Sequence, residues 1–346
     1  MARNYSLPDY SKVKDDLRVM PDGVDPVSAY ESGFVGAYYN PEDDERLQSL
    51  VEAEGGSFSM EDVAYGSGFA GQGKGKTILM HPDIERAGWG EKIAYPSQQC
   101  GDCVSHGTAK AIGYTLLMSA LHGEGSIPET NGVEKRMWPI ASETHYWFRG
   151  KSSDGWYASA ALRVCKEKTG IVLRKNIPGA CDLTHYSKST AHQYGSRAPS
   201  EEVRAYLDDN PVLTYAKAHS WEEICDAISA GYGVQHDGGE GFSKQTDEHG
   251  VALRSGRWSH SMSAHGYIDT PEFHAKYGCG ALLIQNSWGA FNKTSHARVM
   301  GTNVGIPAGS FFALWKDISR RSFFIVSDVK DWPNRKLKPW NLGDLI

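Results

Sequence analysis

No apolar run in these 346 residues approaches the ~20 needed to cross a bilayer, so no membrane-spanning helix is expected. The opening MARNYSLPDYSKVKDDLRV has no apolar core behind a basic start; a secretory signal peptide is not expected, and synthesis in a cytoplasm is. Cysteine is scarce. The six residues at 100, 103, 165, 181, 225 and 279 are too sparse for a disulfide scaffold, and mostly free thiols are expected. Positive charge is lacking too: 36 Lys+Arg against 42 Asp+Glu leave a net charge of −6, and no block of one sign stands out. A basic nucleic-acid face is therefore not expected. Internal repeats are absent.

What is present is an ordinary globular mixture, 40% hydrophobic and 23% charged, long enough for one large domain or two modest ones. Aromatic residues are plentiful, with ten Trp and 17 Tyr. Much of that surface must be buried, and the rest is available to line a groove.

Residues 1–92 differ from the remainder of the chain. They are rich in Gly and Asp, with prolines at 8, 21, 26, 41 and 82, and they offer one short helix at 42–54. The next stretch, GGSFSMEDVAYGSGFAGQGKGK, reads as loop. Scattered rings (Tyr30, Phe34, Tyr38, Tyr39, Phe58, Phe69) are too few for an independent core. The segment reads as an extension that buries those rings on the rest of the chain or on a protein assembly partner. From 103 the text becomes regular. Helices are expected at 103–121 and 155–168, from Ser200 to before Pro211, and at 221–230 behind a Ser220/Glu223 capping box. Later the period shortens towards two, and strands are expected at 260–269, 280–286, 310–315 and 322–328. Helices first and strands later predict an α+β fold.

AGQGKGKT (70–77) loosely matches a phosphate-binding loop, but a true one comes after a strand and opens a helix. Here the next residues are ILMHP, which is strand-like and ends in proline, so a flexible glycine loop is expected instead.

Cys100 and Cys103 form C-G-D-C. A redox pair of that spacing belongs in an early βαβ unit, and the chain shows no such pattern after it. A structural zinc site needs a second Cys/His pair at short spacing. Cys165 and Cys181 are too far apart, and His260 and His265 sit five apart on an expected strand, hence on opposite faces. No metal site and no cofactor are expected. The third reading is a nucleophile. Cys103 opens the 103–121 helix, where exposed N–H groups favour a thiolate. Such a thiolate needs an imidazole, an orienter for it, and donors for an oxyanion. SHSMSAHGY (259–267) supplies His260, ALLIQNSWG (281–289) supplies Asn286 and Trp288, and Gln98 or Gln99 precedes the cysteines.

On these motifs the sequence resembles the papain family of cysteine peptidases, over roughly residues 95–325. Q-Q-C-G-D-C-V is similar to the family's Q-x-x-C-G-x-C-W, His260 stands six residues before Gly266-Tyr267 as the family histidine does, and N-S-W-G is present unchanged at 286–289. SSDGWYASAALRVCKEKTGIV (152–172) looks like the family's Gly-Gly turn and second helix. There are departures: Val104 replaces a tryptophan, Gln98 lies one position too close to the nucleophile, and SSDGW lacks the cysteine that would pair with Cys100. TPEFHAKYGCG also lengthens the gap between His260 and Asn286.

The resemblance implies a two-lobed fold with a helical lobe at about 93–199 and a strand-rich, barrel-like lobe at about 200–330. The 1–92 extension precedes them and a tail at 331–346 ends the chain. It implies a hydrolase in which Cys103, His260 and Asn286 cleave amide bonds of a peptide or protein, with a thiolate paired to a His260 imidazolium. Gln98 would serve the oxyanion, Ser287 and Trp288 would support the site, and Gly155 would bind substrate. The extension is expected to dock away from the Cys103–His260 cleft. The alternative is a catalytically silent scaffold on the same fold, for example a virion component.

Overall fold

The residues from Cys103 onward form a single helix, α1 (Cys103–His122), and almost every residue in it is buried. Its apolar positions are not one stripe, because α1 runs between a sheet on one side and two helices, α2 (Ser142–Tyr146) and α3 (Ala158–Glu167), on the other. A helix enclosed all round has no polar face. The computed structural model describes residues 37–38, 70–86, 97–122, 140–149, 154–167, 170–193, 199–209 and 212–329. The helix expected at 42–54, most of the 1–92 segment and the 331–346 tail lie outside these residues.

Further helices are α4 (Lys188–Gln193), α5 (Glu201–Asp209), α6 (Trp221–Ser229) and α7 (Pro271–Tyr277). The expected capping box opens α6: Ser220 Oγ accepts from the Glu223 amide at 3.1 Å, and the Glu223 carboxylate accepts from the His219 amide at 2.6 Å.

Thirteen strands are described. β1 (Ala37–Tyr38), β2 (Thr77–Leu79), β3 (Trp156–Tyr157), β4 (Asn176–Ile177) and β5 (Cys181–Asp182) are short. The later ones are β6 (Val212–Ala218), β7 (Val234–Gly238), β8 (Phe242–Thr246), β9 (Ala252–Arg254), β10 (His260–Ile268), β11 (Ala281–Gln285), β12 (Ser310–Leu314) and β13 (Ser322–Val329). The main sheet is antiparallel, in the order β12-β11-β10-β7-β13-β6, and its path is open rather than closed into a barrel. β10 is its axis. Residues His260–Ala264 pair with β7, Gly266–Ile268 pair with β2 on the same edge, and the register shifts between Ala264 and Gly266. All nine residues of β10 are buried, as expected of a central strand with a helix on its face. The architecture is α+β, with helices α1–α4 preceding the long strands in the chain.

Two parts of the N-terminal segment belong to this framework. Thr77–Leu79 is a buried strand of the main sheet, so residues 70–86 are core rather than arm. The glycine loop before it offers its amides to carboxylates. Gly71 and Gly73 N–H donate to Asp226 at 2.7 Å each, and Gly75 N–H donates to Asp269 at 2.8 Å. The donors a phosphate would need are already engaged, in keeping with the glycine-loop reading. The second part is β1, which pairs in parallel with β3 directly after Gly155. This piece lies next to Gly155, the residue expected to bind substrate.

Candidate active site

Helix α1 and the start of β10 are drawn together by close approach at Gly107. A Cβ there would stand 2.6 Å from Ser261 Oγ and 3.3 Å from the Met262 carbonyl, so only glycine lets the helix lie this near the strand. Gln235 reinforces the junction, donating to Ser261 Oγ (3.0 Å) and to the Val104 carbonyl (3.4 Å). The first turn of α1, with Cys103 at its start, therefore adjoins the strand that begins with His260.

His260 is held from two directions. Its Nε2 is 2.9 Å from Asn286 Oδ1, and the Ser287 amide donates to the same oxygen at 2.7 Å. Because a backbone N–H identifies that atom as the carbonyl oxygen, Nε2 is the donor, and Nδ1 is the acceptor nitrogen of the neutral ring. Trp288 stacks on the imidazole, with centroids 4.4 Å apart and planes 24° from parallel, while Trp258 and Phe291 meet Trp288 edge-on. Burial pushes the His260 pKa down to about 3, against the partial support of the Asn286 bond. Burial thus favours the neutral form of the imidazole.

Gln98 is tied into the same group. Its Oε1 accepts from Ser287 Oγ at 2.5 Å and from Trp288 Nε1 at 3.2 Å, its Nε2 donates to the Cys100 carbonyl at 2.8 Å, and its amide donates to the Ser287 carbonyl at 2.9 Å. Gln99, the other candidate, is exposed, and its amide donates to Tyr186 Oη at 3.3 Å. The Gly155 amide donates to the Gly101 carbonyl at 3.0 Å, which brings the 154–157 segment alongside the C-G-D-C loop. His265 belongs to a different group: it stacks on Tyr114 at 4.5 Å and meets Ser310 Oγ at 3.2 Å. Cys103 is 0% exposed and His260 1%.

Several residues here carry no local sequence signal. Asp102, immediately before Cys103, is buried, and its Oδ2 accepts from Tyr186 Oη at 2.7 Å and meets His106 Nε2 at 3.2 Å. Lys110, buried in α1, donates to the Asn286 carbonyl at 2.7 Å and the Gln285 carbonyl at 3.4 Å. Its burial holds the amine pKa well below the usual lysine range.

No family model matches the chain, and no curated protein matches it. Among solved structures it is similar to xylellain, a cysteine protease from Xylella fastidiosa, at 15% identity and TM-score 0.47, covering 73% of this chain and 86% of that one. It is also similar to the cysteine protease and lectin-like domains of Cwp84, a surface layer associated protein of Clostridium difficile, at 15% identity and TM-score 0.48, covering 78% of this chain and 58% of that one. A third likeness is to the bromelain protease from Ananas comosus, at 13% identity and TM-score 0.39, covering 73% and 99%. Likenesses at these scores and identities stand as observations, and the chemistry has to be argued from the residues.

Proposed function

We propose that this chain is a papain-like cysteine hydrolase that cleaves amide bonds of a peptide or protein substrate, with Cys103 as nucleophile, His260 as proton carrier and Asn286 as its orienter. The observation that supports this reading is the His260 ring, held by Asn286 and Trp288 with Nε2 as donor, on the strand whose Ser261 lies against Gly107 of the helix that Cys103 opens.

In this reading the neutral His260 acts as a base. Nδ1 takes the Cys103 Sγ proton as sulfur bonds to the carbonyl carbon. The carbonyl oxygen gathers negative charge, and the Cys103 amide and a Gln98 Nε2–H stabilise it, each such donor being worth ~3–4 kcal/mol. Ser287 and Trp288 grip the Gln98 oxygen and so fix which end of that amide is the nitrogen. The imidazolium then protonates the leaving nitrogen as the C–N bond breaks, leaving a thioester on Cys103. Water attacks the thioester carbon and gives its proton to His260. The acid departs, and Sγ recovers the proton. Gly155 and the adjoining backbone would form the edge along which an extended substrate lies.

The test is cleavage of an unfolded polypeptide by the full chain and by Cys103→Ala. New N-termini with the former and none with the latter are expected. Equal cleavage by both would refute Cys103 as the nucleophile, and none by either after the thiol is shown to be accessible would favour the silent scaffold.

A further inference from the structure

Outside the proposed catalytic set, three side chains from separate segments converge: Cys100 in the loop before α1, Asp154 before β3 and His192 in α4. One ligand atom from each lies within 4.8 Å of the others. His192 Nε2 is 2.8 Å from Asp154 Oδ1, and Tyr146 Oη donates to that same oxygen at 2.6 Å. Tyr186 Oη is 3.6 Å from Cys100 Sγ while donating to Asp102. Cys100 and Asp154 are fully buried, whereas the His192 side chain is 24% exposed, so an ion has a way in.

We propose that Cys100, Asp154 and His192 bind a thiophilic divalent cation of the zinc type, with water as fourth ligand. The donor set is one thiolate, one imidazole and one carboxylate, the mixture such borderline-soft ions take, and three protein ligands leave one position open. Bonds of ~2.0–2.3 Å in a tetrahedron put ligand atoms about 3.5 Å apart. The three atoms reach that by shifts of about 1 Å, with His192 and Asp154 parting slightly as the ion replaces the proton between them. Tyr146 already orients the Asp154 carboxylate, the outer-sphere contact that ligating carboxylates commonly have.

Asp102 and Asp154 are both buried near the thiol. The Arg149 guanidinium also acts on the thiol, and it packs on the Tyr146 ring (3.3 Å) and donates to the Tyr146 carbonyl (2.8 Å). A bound ion would tie together the loop that presents Cys103, the Gly155 segment and α4. The inference stands apart from the proposed reaction, since Cys103 and His260 take no part in it.

The full chain, freed of metal with a chelator, would be titrated with Co²⁺ as the probe. One equivalent is expected to give a thiolate-to-cobalt band in the near ultraviolet and the visible bands of a tetrahedral site. Cys100→Ser should lose the ultraviolet band and Cys103→Ser should keep it. His192→Ala, at a partly exposed position that tolerates truncation, should weaken cobalt binding at least about tenfold. The proposal is overturned if the wild-type chain shows no thiolate band, if Cys103→Ser loses the band while Cys100→Ser keeps it, or if His192→Ala binds cobalt as the wild type does.

Discussion

Lowering the pH from 7 to 5 is expected to destabilise this fold strongly. Burial pushes the pKa of His81, His145 and His236 down to about 4, that of His260 to about 3, and that of His265 well below the usual range. In the unfolded chain each returns to about 6.5. A proton therefore binds the unfolded state first. The stability tied to these rings is fully present above about pH 6.5 and is lost as pH falls towards the folded values. Each pH unit below 6.5 removes about 1.4 kcal/mol per ring, so between pH 7 and 5 each site loses about 2 kcal/mol. Four such rings would lose about 8 kcal/mol, comparable to the ~5–15 kcal/mol that holds a typical domain together. Half that loss would still move the unfolding midpoint plainly. Urea midpoints at pH 8, 7, 6 and 5, at fixed ionic strength, read the effect. His236 stacks on Phe323 at 4.8 Å, and His236→Leu should lower the proton uptake on unfolding by about one. A midpoint that is flat or rises between pH 7 and 5 would refute the reasoning, because it would mean these rings carry charge in the folded chain.

Three further outcomes are expected. Asn286→Ala removes the acceptor shared by His260 Nε2 and the Ser287 amide, and should lower activity about 10²-fold while costing only about 1–3 kcal/mol of stability; Trp288→Ala should cost ~3–5 kcal/mol, and equal melting temperatures for the two would contradict that order. Lys110→Met frees the Asn286 carbonyl from its buried amine and should lower kcat roughly ten- to hundredfold with little change in KM, whereas a pure stability change with unaltered kcat would show that Lys110 does not position Asn286. Deleting residues 1–69 removes β1 from the edge beside Gly155 and should raise the alkylation rate of Cys103; an unchanged rate would show that this pairing does not guard the site.

The long periodic elements were legible because local chemistry dictates them. The capping box at Ser220 and the β-rich runs of β10, β11, β12 and β13 each appear within a residue or two of expectation. β7 was not legible. Its AGYGVQHDGGEG setting looks like turn text, yet it is a central strand, and the glycine before it is there for contact: a Cβ on Gly233 would stand 2.3 Å from the Ala111 carbonyl of α1. β2 read as strand-like in ILMHP, but its place in the main sheet was hidden behind the glycine loop, because nothing local shows that Asp226 and Asp269 will bind that loop's amides. At the site, ordered motifs brought Gln98, His260, Asn286, Ser287 and Trp288 into consideration. Asp102, Lys110 and the Cys100–Asp154–His192 group stayed invisible, since contacts between residues distant in sequence leave no period to read.

Selective alkylation tests the central claim most directly. At pH 6, burial keeps four of the other thiols protonated: Cys181 is pushed up to about 11, Cys165 to about 12, and Cys100 and Cys225 well above the usual range. A trace of iodoacetamide, with the adduct mapped by mass spectrometry, should mark Cys103 ahead of these four, and His260→Ala should abolish the preference while His265→Ala preserves it. Labelling of Cys100 first, or labelling of Cys103 that survives His260→Ala, would contradict the assignment of Cys103 and His260 as a working pair.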